Sequence, residues 1–526
     1  MWKSLMLSGV PFWSYIWGKE TKRLATCNRP QHERLAKVET KGSSYDYFSW
    51  LSDVAPCYPI HGDDVLVLTE PKQFYEILKS KARKAKKRVT LASLYLGTET
   101  LEAELVDSVQ EACSRAVKEG NKEFKVNVLL DYTRGSRGQT ISSRTMLQPL
   151  LKHPDNNVKI ALYHTPDLRG LYKLLIPDRF NETIGLTHVK AYIFDDSVII
   201  SGANLSDNYF TNRQDRYVLF NNCPDLADFF DNLVQTISKF SFQLQSDNTV
   251  TLHPQWKLHP YKGWKLTAFT TAARTEILNF IESVKSNKER LRQFEASTSN
   301  LAWTKHSEIS SRNKQCDTWV YPLIQMKPFE IIFDEIATLS LFNEAAAKDE
   351  ILLASGYFNL TDNYLETILK DSQAKFSILM AAPEVNGFYG AKGVAGLIPL
   401  AYIHIARVFY QSVCYFNQDK RIKMYEYTRP EWTFHVKGLW YYLPNDILPA
   451  LTLIGSPNFG YRSVYRDLEC QTAIVTDNDN LRKQLREEHV RLYQSSNPVN
   501  EAYLQRPDRQ VSVWAKVLTS LIKSFF

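Results

Sequence analysis

At 526 residues with 44% hydrophobic content, the chain is long enough for more than one globular domain and lies outside the low-complexity class. A formal net charge of +7 favours anionic partners, nucleic acid or an acidic membrane surface, without choosing between them. Seven cysteines, an odd and widely spread set with no CxxC pair, argue against a disulfide framework and a structural zinc site. No run reaches the roughly 18 uninterrupted apolar residues that a transmembrane helix needs.

In chain order, residues 1–45 come first. No acid precedes Glu20, while Trp2, Lys3, Phe12, Trp13, Trp17, Lys19, Lys22, Arg23 and Arg29 give a basic, aromatic segment, read as a mitochondrial transit segment or as a surface anchor. From residue 46 to about 250, strands are expected at Val89–Leu96, Val126–Asp131 and Val158–Tyr163, with a helix over Leu101–Lys118. A hairpin follows within Thr187–Asn204, THVKAYIFDDSVIISGAN. His188 and Lys190 are two apart, so on a strand they share one face. A three-residue loop, Asp195-Asp196-Ser197, sets Asn204 opposite His188 and Gly202 opposite Lys190, so a His, a Lys and an Asn converge where a glycine leaves space. Such a cluster suits a phosphate.

The chain then repeats. Tyr58-Pro59-Ile60 recurs as Tyr321-Pro322-Leu323, LASLYLG (91–97) as LASGYFN (353–359), and VKIALYHTP (158–166) as IKMYEYTRP (422–430), at offsets of 263, 262 and 264. The hairpin recurs as residues 434–458, with His435, Lys437, Gly455 and Asn458 in the same order. Asp215 stands 11 residues after Asn204 and Glu469 stands 11 after Asn458. The expected fold class is therefore α/β: two homologous halves, 46–250 and 318–495, each a mixed sheet flanked by helices. Residues 251–317 connect them, with the polar stretch 285–300 as an exposed connector or flexible loop, and residues 496–526 end the chain. From Val513 to Phe526 apolar residues fall at helical spacing with Lys516 and Lys523 as the only charges, which fits a helix lying in a lipid interface or one packed on the protein's own core.

The halves differ in two places. Pro166 to His188 spans 22 residues but Pro430 to His435 only 5, and the extra segment, 167–183, mixes leucines with Arg169, Lys173 and Arg179. It reads as a lipid-facing gate beside the site, or as packing against the other half. In the second half Tyr442 stands where the first has Asp195, and Gly455-Ser456-Pro457-Asn458 carries one residue more, which reads as a bulge.

One H-x-K is weak, since a lone strand histidine is more often a satisfied core residue. Two copies with matched Gly, Asn and acidic partners are strong. The pattern H-x-K-x4-D-x6-G, met by His188, Lys190, Asp195 and Gly202, resembles the phospholipase D superfamily, whose two α/β halves are related by a pseudo-twofold and share one site. The extension NLSDNYFTNRQDRY (204–217) is similar to the phosphatidylglycerophosphate synthase family of eukaryotic mitochondria. That resemblance implies CDP-diacylglycerol and glycerol 3-phosphate as substrates, no cofactor, no metal, no nucleic acid, and a peripheral place on the anionic matrix face of the inner mitochondrial membrane. It implies His188 as nucleophile, forming a phosphatidyl-histidine, and His435 as the acid that protonates CMP and then deprotonates the glycerol hydroxyl. Lys190, Lys437, Asn204 and Asn458 would hold phosphate oxygens, and Asp215 and Glu469 would orient the imidazoles.

Ser456, Arg134, Arg213 and Arg216 are further candidates for substrate contact; for Arg134, in DYTRGSRG (131–138), a solvated loop charge is the plainer reading. Asp195 completes the motif, yet its odd parity relative to His188 puts it in the hairpin loop, where its task is structural. The basic run KARKAKKR (81–88) reads as a solvated helix face or a lipid contact. The alternatives are a phosphatidylserine synthase of the same superfamily, a nucleic-acid phosphodiesterase, and a catalytically silent lipid-binding scaffold. Metal-dependent CDP-alcohol phosphotransferases are excluded, because the chain has no D-x-x-D-G motif and no set of membrane spans.

Overall fold

The computed structural model describes residues 42–138, 140–152, 157–263, 266–299, 316–391 and 396–523, so residues 1–41 of the amino-terminal segment lie outside the described residues. At the centre of each half, short runs of buried aliphatic residues form parallel strands covered on both faces, as such runs must be. In the first half these are Arg88–Ala92, Lys125–Asp131 and Val158–Tyr163, with Val89 beside Val126 and Val126 beside Val158. In the second they are Glu350–Ser355, Lys375–Ala381 and Ile422–Tyr427. Each sheet then continues antiparallel through the motif hairpin and the strand after it: Ala191–Phe194, Ser197–Ser201 and Tyr217–Phe220 in one, Lys437–Tyr442, Leu451–Gly455 and Glu469–Thr476 in the other. Two mixed sheets of nine and ten strands result.

The inner faces of both sheets meet in one cluster, where Val189, Ile200, Val218, Val436, Trp440 and Ile454 join Leu233 of helix Pro224–Lys239 and Leu485 of helix Asp479–Gln494. Separate clusters lie under the outer helices of each half. Helix Pro71–Lys84 shows the logic: proline opens it, Phe74, Leu78 and Ala82 recur on its buried face, and Lys81, Arg83 and Lys84 crowd its carboxyl end, where the backbone carbonyls favour cations.

Several sequence expectations change here. The hairpin loop has two residues, Asp195 and Asp196, and the register pairs Ala191 with Ile200. The ladder therefore runs one residue out of the expected pairing, because Asp195 adopts the left-handed conformation (φ 51°) that aspartate tolerates and closes the turn early. The second hairpin needs no bulge: Gly455 pairs with Gln471, and Ser456 N donates to Cys470 O at 3.2 Å, so Ser456 rather than Gly455 occupies the place of Gly202. Tyr58–Ile60 is an edge strand of the second sheet, paired antiparallel with Thr318–Val320, so its likeness to Tyr321-Pro322-Leu323 is not a structural repeat. The polar stretch expected as a connector continues a helix, Leu266–Ser299. The basic run is neither one helix face nor free: the helix ends at Lys84, and Arg88 opens a strand buried against Asp231, with Nη1 to Oδ2 at 3.2 Å.

Candidate active site

The two histidines enter the cleft by the same device, used once from each side. His188 N donates to Leu468 O at 2.7 Å, and His435 N donates to Gln214 O at 2.9 Å. Each carbonyl belongs to the residue just before a carboxylate of the opposite half. The imidazoles follow their backbones: His188 Nδ1 lies 3.0 Å from both Glu469 oxygens, and His435 Nδ1 lies 2.6 Å from Asp215 Oδ2. The carboxylates thus orient the histidine of the other half. The approach to His188 is pinned further, since Leu186 N donates to Asp467 Oδ1 at 3.2 Å and Thr187 N to Asp131 Oδ2 at 3.3 Å.

With Nδ1 committed to a carboxylate, each ring presents Nε2 to the cleft. Among the described residues no hydrogen bond engages His188 Nε2, whereas the Tyr209 hydroxyl lies 3.2 Å from His435 Nε2 and itself accepts from Asn204 Nδ2 at 3.1 Å. Both lysines donate to the carbonyl of their own histidine, Lys190 Nζ to His188 O at 2.9 Å and Lys437 Nζ to His435 O at 2.6 Å, and Lys437 Nζ also lies 2.7 Å from His435 Nδ1 and 3.5 Å from Asp215 Oδ2. Gly202 makes this possible, because a Cβ there would stand 2.7 Å from both Lys437 Nζ and Asp215 Oδ1.

Burial governs the electrostatics. It holds both imidazoles well below their usual range, helped by Lys190 at His188 and by Lys437 at His435, so both rings are neutral with a lone pair at Nε2. Burial also pushes Glu469 up to about 7, against the pull of Lys190, and brings Lys190 down to about 7, against the pull of Glu469. A cleft of this kind offers a nucleophile, a proton carrier and movable cations to a phosphodiester.

Not every candidate lies in it. Asp195 accepts from the backbone N–H groups of Lys86, Lys87 and Arg88 at 2.6–3.1 Å and ties the hairpin loop to the neighbouring strand, away from the reacting atoms. Arg216 is wholly buried and braces the halves together: Nε and Nη2 pair with Glu488 at 2.9 and 2.8 Å, Nη1 donates to Leu453 O at 2.8 Å, and the guanidinium stacks on Trp440. Gly438 admits it, since a Cβ there would stand 2.6 Å from Nη1. Ser456 Oγ serves the Cys470 backbone, donating to O and accepting from N, both at 3.2 Å. Arg134 lies over the Tyr95 ring at 4.3 Å with Nε 3.6 Å from Glu182, and Arg137 pairs with the same carboxylate at 2.5 Å. Asn204 and Asn458 each keep a buried side-chain oxygen with no partner among the described residues, an unspent group that a ligand can use.

The sequence reading missed the aromatic wall. Tyr209 and Tyr357 meet the His435 ring edge-on at 5.0 and 5.5 Å, Tyr402 stacks on Tyr357, and Arg213 lies 4.7 Å from the Tyr209 ring. The signal was available: Tyr95 and Tyr357 occupy the same place in LASLYLG and LASGYFN. Asp467 and Arg462, paired at 3.2 Å, were also missed.

Two α/β halves that exchange carboxylates around a duplicated H-x-K pair define a phosphodiester-transfer protein of the phospholipase D superfamily. A solved structure agrees in fold, phosphatidylserine synthase of Haemophilus influenzae, with a TM-score of 0.65 at 19% identity over 92% of this chain and 100% of that one. No family model matches the chain. The mouse and human mitochondrial CDP-diacylglycerol--glycerol-3-phosphate 3-phosphatidyltransferases are each 50% identical to it over 481 residues, covering 91% of this chain and 86% of theirs. The yeast CDP-diacylglycerol--glycerol-3-phosphate 3-phosphatidyltransferase is 34% identical, covering 89% of both chains. The chain belongs to this phosphatidyltransferase family.

Proposed function

We propose that the protein transfers the phosphatidyl group of CDP-diacylglycerol to sn-glycerol 3-phosphate, giving phosphatidylglycerophosphate and CMP. The observation that carries the reading is the reciprocal clamp, His188 on Glu469 and His435 on Asp215, within a chain half identical to relatives named for this reaction. His188 Nε2, neutral and unengaged, attacks the phosphatidyl phosphorus; a P–N bond forms as the P–O bond to CMP breaks. CMP, a phosphate with a second pKa of about 6, departs with little help, so the heavier task of His435 is to take the proton from the glycerol hydroxyl as the P–N bond breaks. A neutral His435, held so by burial and Lys437, suits that base role. Lys190 and Lys437 receive the non-bridging oxygens, together with Asn204 and Asn458 through their amide N–H groups.

The test is CMP release from CDP-diacylglycerol with glycerol 3-phosphate against serine, chelator present. Turnover with glycerol 3-phosphate alone supports the reading; serine-dependent turnover replaces it with a phosphatidylserine synthase, and turnover with neither acceptor rejects it.

The substrate is a lipid, and two exposed apolar elements flank the site. Helix Gly170–Leu175 buries none of its residues and leaves Leu174 at 78% exposure, while helix Val513–Ile522 packs Ala515 against Ile403 and turns Trp514 outward at 84%. Helix Val513–Ile522 is followed by Lys523, whose Nζ lies 5.3 Å from the Tyr461 ring of the short helix Tyr461–Tyr465, and Arg466, just after that short helix, donates to O of Thr183 in the segment that follows Gly170–Leu175, at 2.8 Å. Apolar side chains interspersed with Lys173, Lys516 and Lys523 suit an anionic phospholipid surface, which favours the lipid readings of 167–183 and of the carboxyl-terminal helix. Among the described residues no helix is long and apolar enough to cross a membrane. With relatives named mitochondrial, the matrix face of the inner membrane is the proposed location, and no nucleic acid is required.

A further inference from the structure

The two sides of the cleft treat their arginines differently. Beside His188, Arg462 is paired with Asp467 at 3.2 Å, and Arg134 and Arg137 share Glu182. Beside His435, Arg213 donates Nε to Thr433 Oγ1 at 3.0 Å and lies over the Tyr209 ring, and no carboxylate of the described residues is within ion-pair distance of it. The Tyr357 hydroxyl and Arg213 Nη2 converge on Gly387, where a Cβ would meet them at 2.8 and 3.5 Å. A half-buried guanidinium without a counter-ion is costly unless something anionic completes it. The Tyr357 hydroxyl supplies a further donor, while the Tyr209 ring holds the guanidinium in place, and an arginine fork is the usual partner of a phosphate.

We infer that Arg213, with Tyr209 and Tyr357, forms a single anion subsite on the His435 side, occupied first by the phosphate of departing CMP and then by the phosphate of the incoming glycerol 3-phosphate. This rests on the phosphatidyl-transfer reading. In the first displacement the CMP oxygen leaves opposite His188 Nε2; in the second the glycerol oxygen attacks opposite that same nitrogen, in the direction CMP vacated. The P–O bond to CMP breaks as the P–N bond forms, and then the P–N bond breaks as the P–O bond to glycerol forms, its proton passing to His435 Nε2. Both free phosphates therefore lie on the side of His435, where Arg213 has no carboxylate partner among the described residues, and away from Arg462, which Asp467 pairs beside His188. Arg213 thereby selects a phosphorylated acceptor over a neutral alcohol.

The test is a partition measurement with full-length protein on CDP-diacylglycerol vesicles, glycerol 3-phosphate competing with molar glycerol for the phosphatidyl-enzyme. Because both acceptors meet the same intermediate, their product ratio does not depend on the first step. Arg213→Gln should cut the preference for glycerol 3-phosphate by at least about 10-fold and weaken CMP inhibition against it by a similar factor, while Arg213→Lys keeps part of both. If Arg213→Gln fails a thermal-melting check, Arg213→Lys and Tyr357→Phe carry the same two readings, each expected to fall between wild type and full loss. A folded variant series with unchanged partition and unchanged CMP inhibition overturns the subsite. Wild-type protein that releases no CMP with glycerol 3-phosphate overturns instead the reading beneath it.

Discussion

His188 Nδ1 lies 3.0 Å from both oxygens of Glu469, a residue 281 positions further along the chain, and His435 meets Asp215 across the same pseudo-twofold. Neither half holds its own imidazole. Glu469→Gln and Asp215→Asn keep the volume but change which ring nitrogen carries the proton, so each should lower kcat by about 10³-fold or more. Steady-state CMP release with a thermal-melting control measures this; a loss below 10-fold in a folded variant would remove the carboxylates from the mechanism.

Asp195 separates motif from mechanism. Asp195→Ala frees three backbone N–H groups and should cost about 2 kcal/mol of stability, whereas Asp195→Asn keeps an acceptor and most of the activity. His188→Ala should abolish turnover without that stability loss. Chemical denaturation alongside CMP release reads both, and equal activity losses for Asp195→Asn and His188→Ala would return Asp195 to the chemistry.

Arg216 is a brace rather than a ligand. Arg216→Met leaves Glu488 buried without its cation and should destabilise the fold by about 3–5 kcal/mol, with KM for glycerol 3-phosphate unchanged in whatever protein remains folded. A raised KM with unaltered Tm would contradict this.

The pH profile should show an acid limb. Glu469, raised to about 7 by burial, is ionised above that pH and protonated below it, so its grip on the His188 Nδ1 proton weakens as pH falls through 7. Activity should therefore drop towards acid. Glu469→Gln, which cannot ionise, should flatten the acid limb in whatever activity remains; kcat/KM against pH shows this, and a limb that stays in place would assign it to another group.

Replacing Leu174 and Leu175 with Ser removes exposed apolar area from one flank of the cleft. Binding to anionic vesicles and the rate on vesicle-borne CDP-diacylglycerol should fall about 10-fold or more, at unchanged Tm. A parallel loss of stability would make the segment part of the core.

Local chemistry was enough for much of this protein. The spacing of His188 and Lys190, its recurrence at His435 and Lys437, and the equal distances from Asn204 to Asp215 and from Asn458 to Glu469 are local properties, and they determined the fold class, the duplication and a phosphate-binding cluster without any knowledge of contacts, while the reaction type followed from the resemblance of residues 204–217 to a known family. Periodicity likewise places strands such as Val158–Tyr163, because alternation and burial are written into adjacent residues. What the chain could not disclose by itself is which groups meet across hundreds of residues. One conformational choice at Asp195 shifted the hairpin register, long-range packing turned Arg216 inward to Glu488 while leaving Arg213 uncompensated, and the docking of the two sheets decided that each histidine is held by the carboxylate of the other half. Those outcomes depend on the free energy of bringing distant surfaces together, which no window of sequence contains.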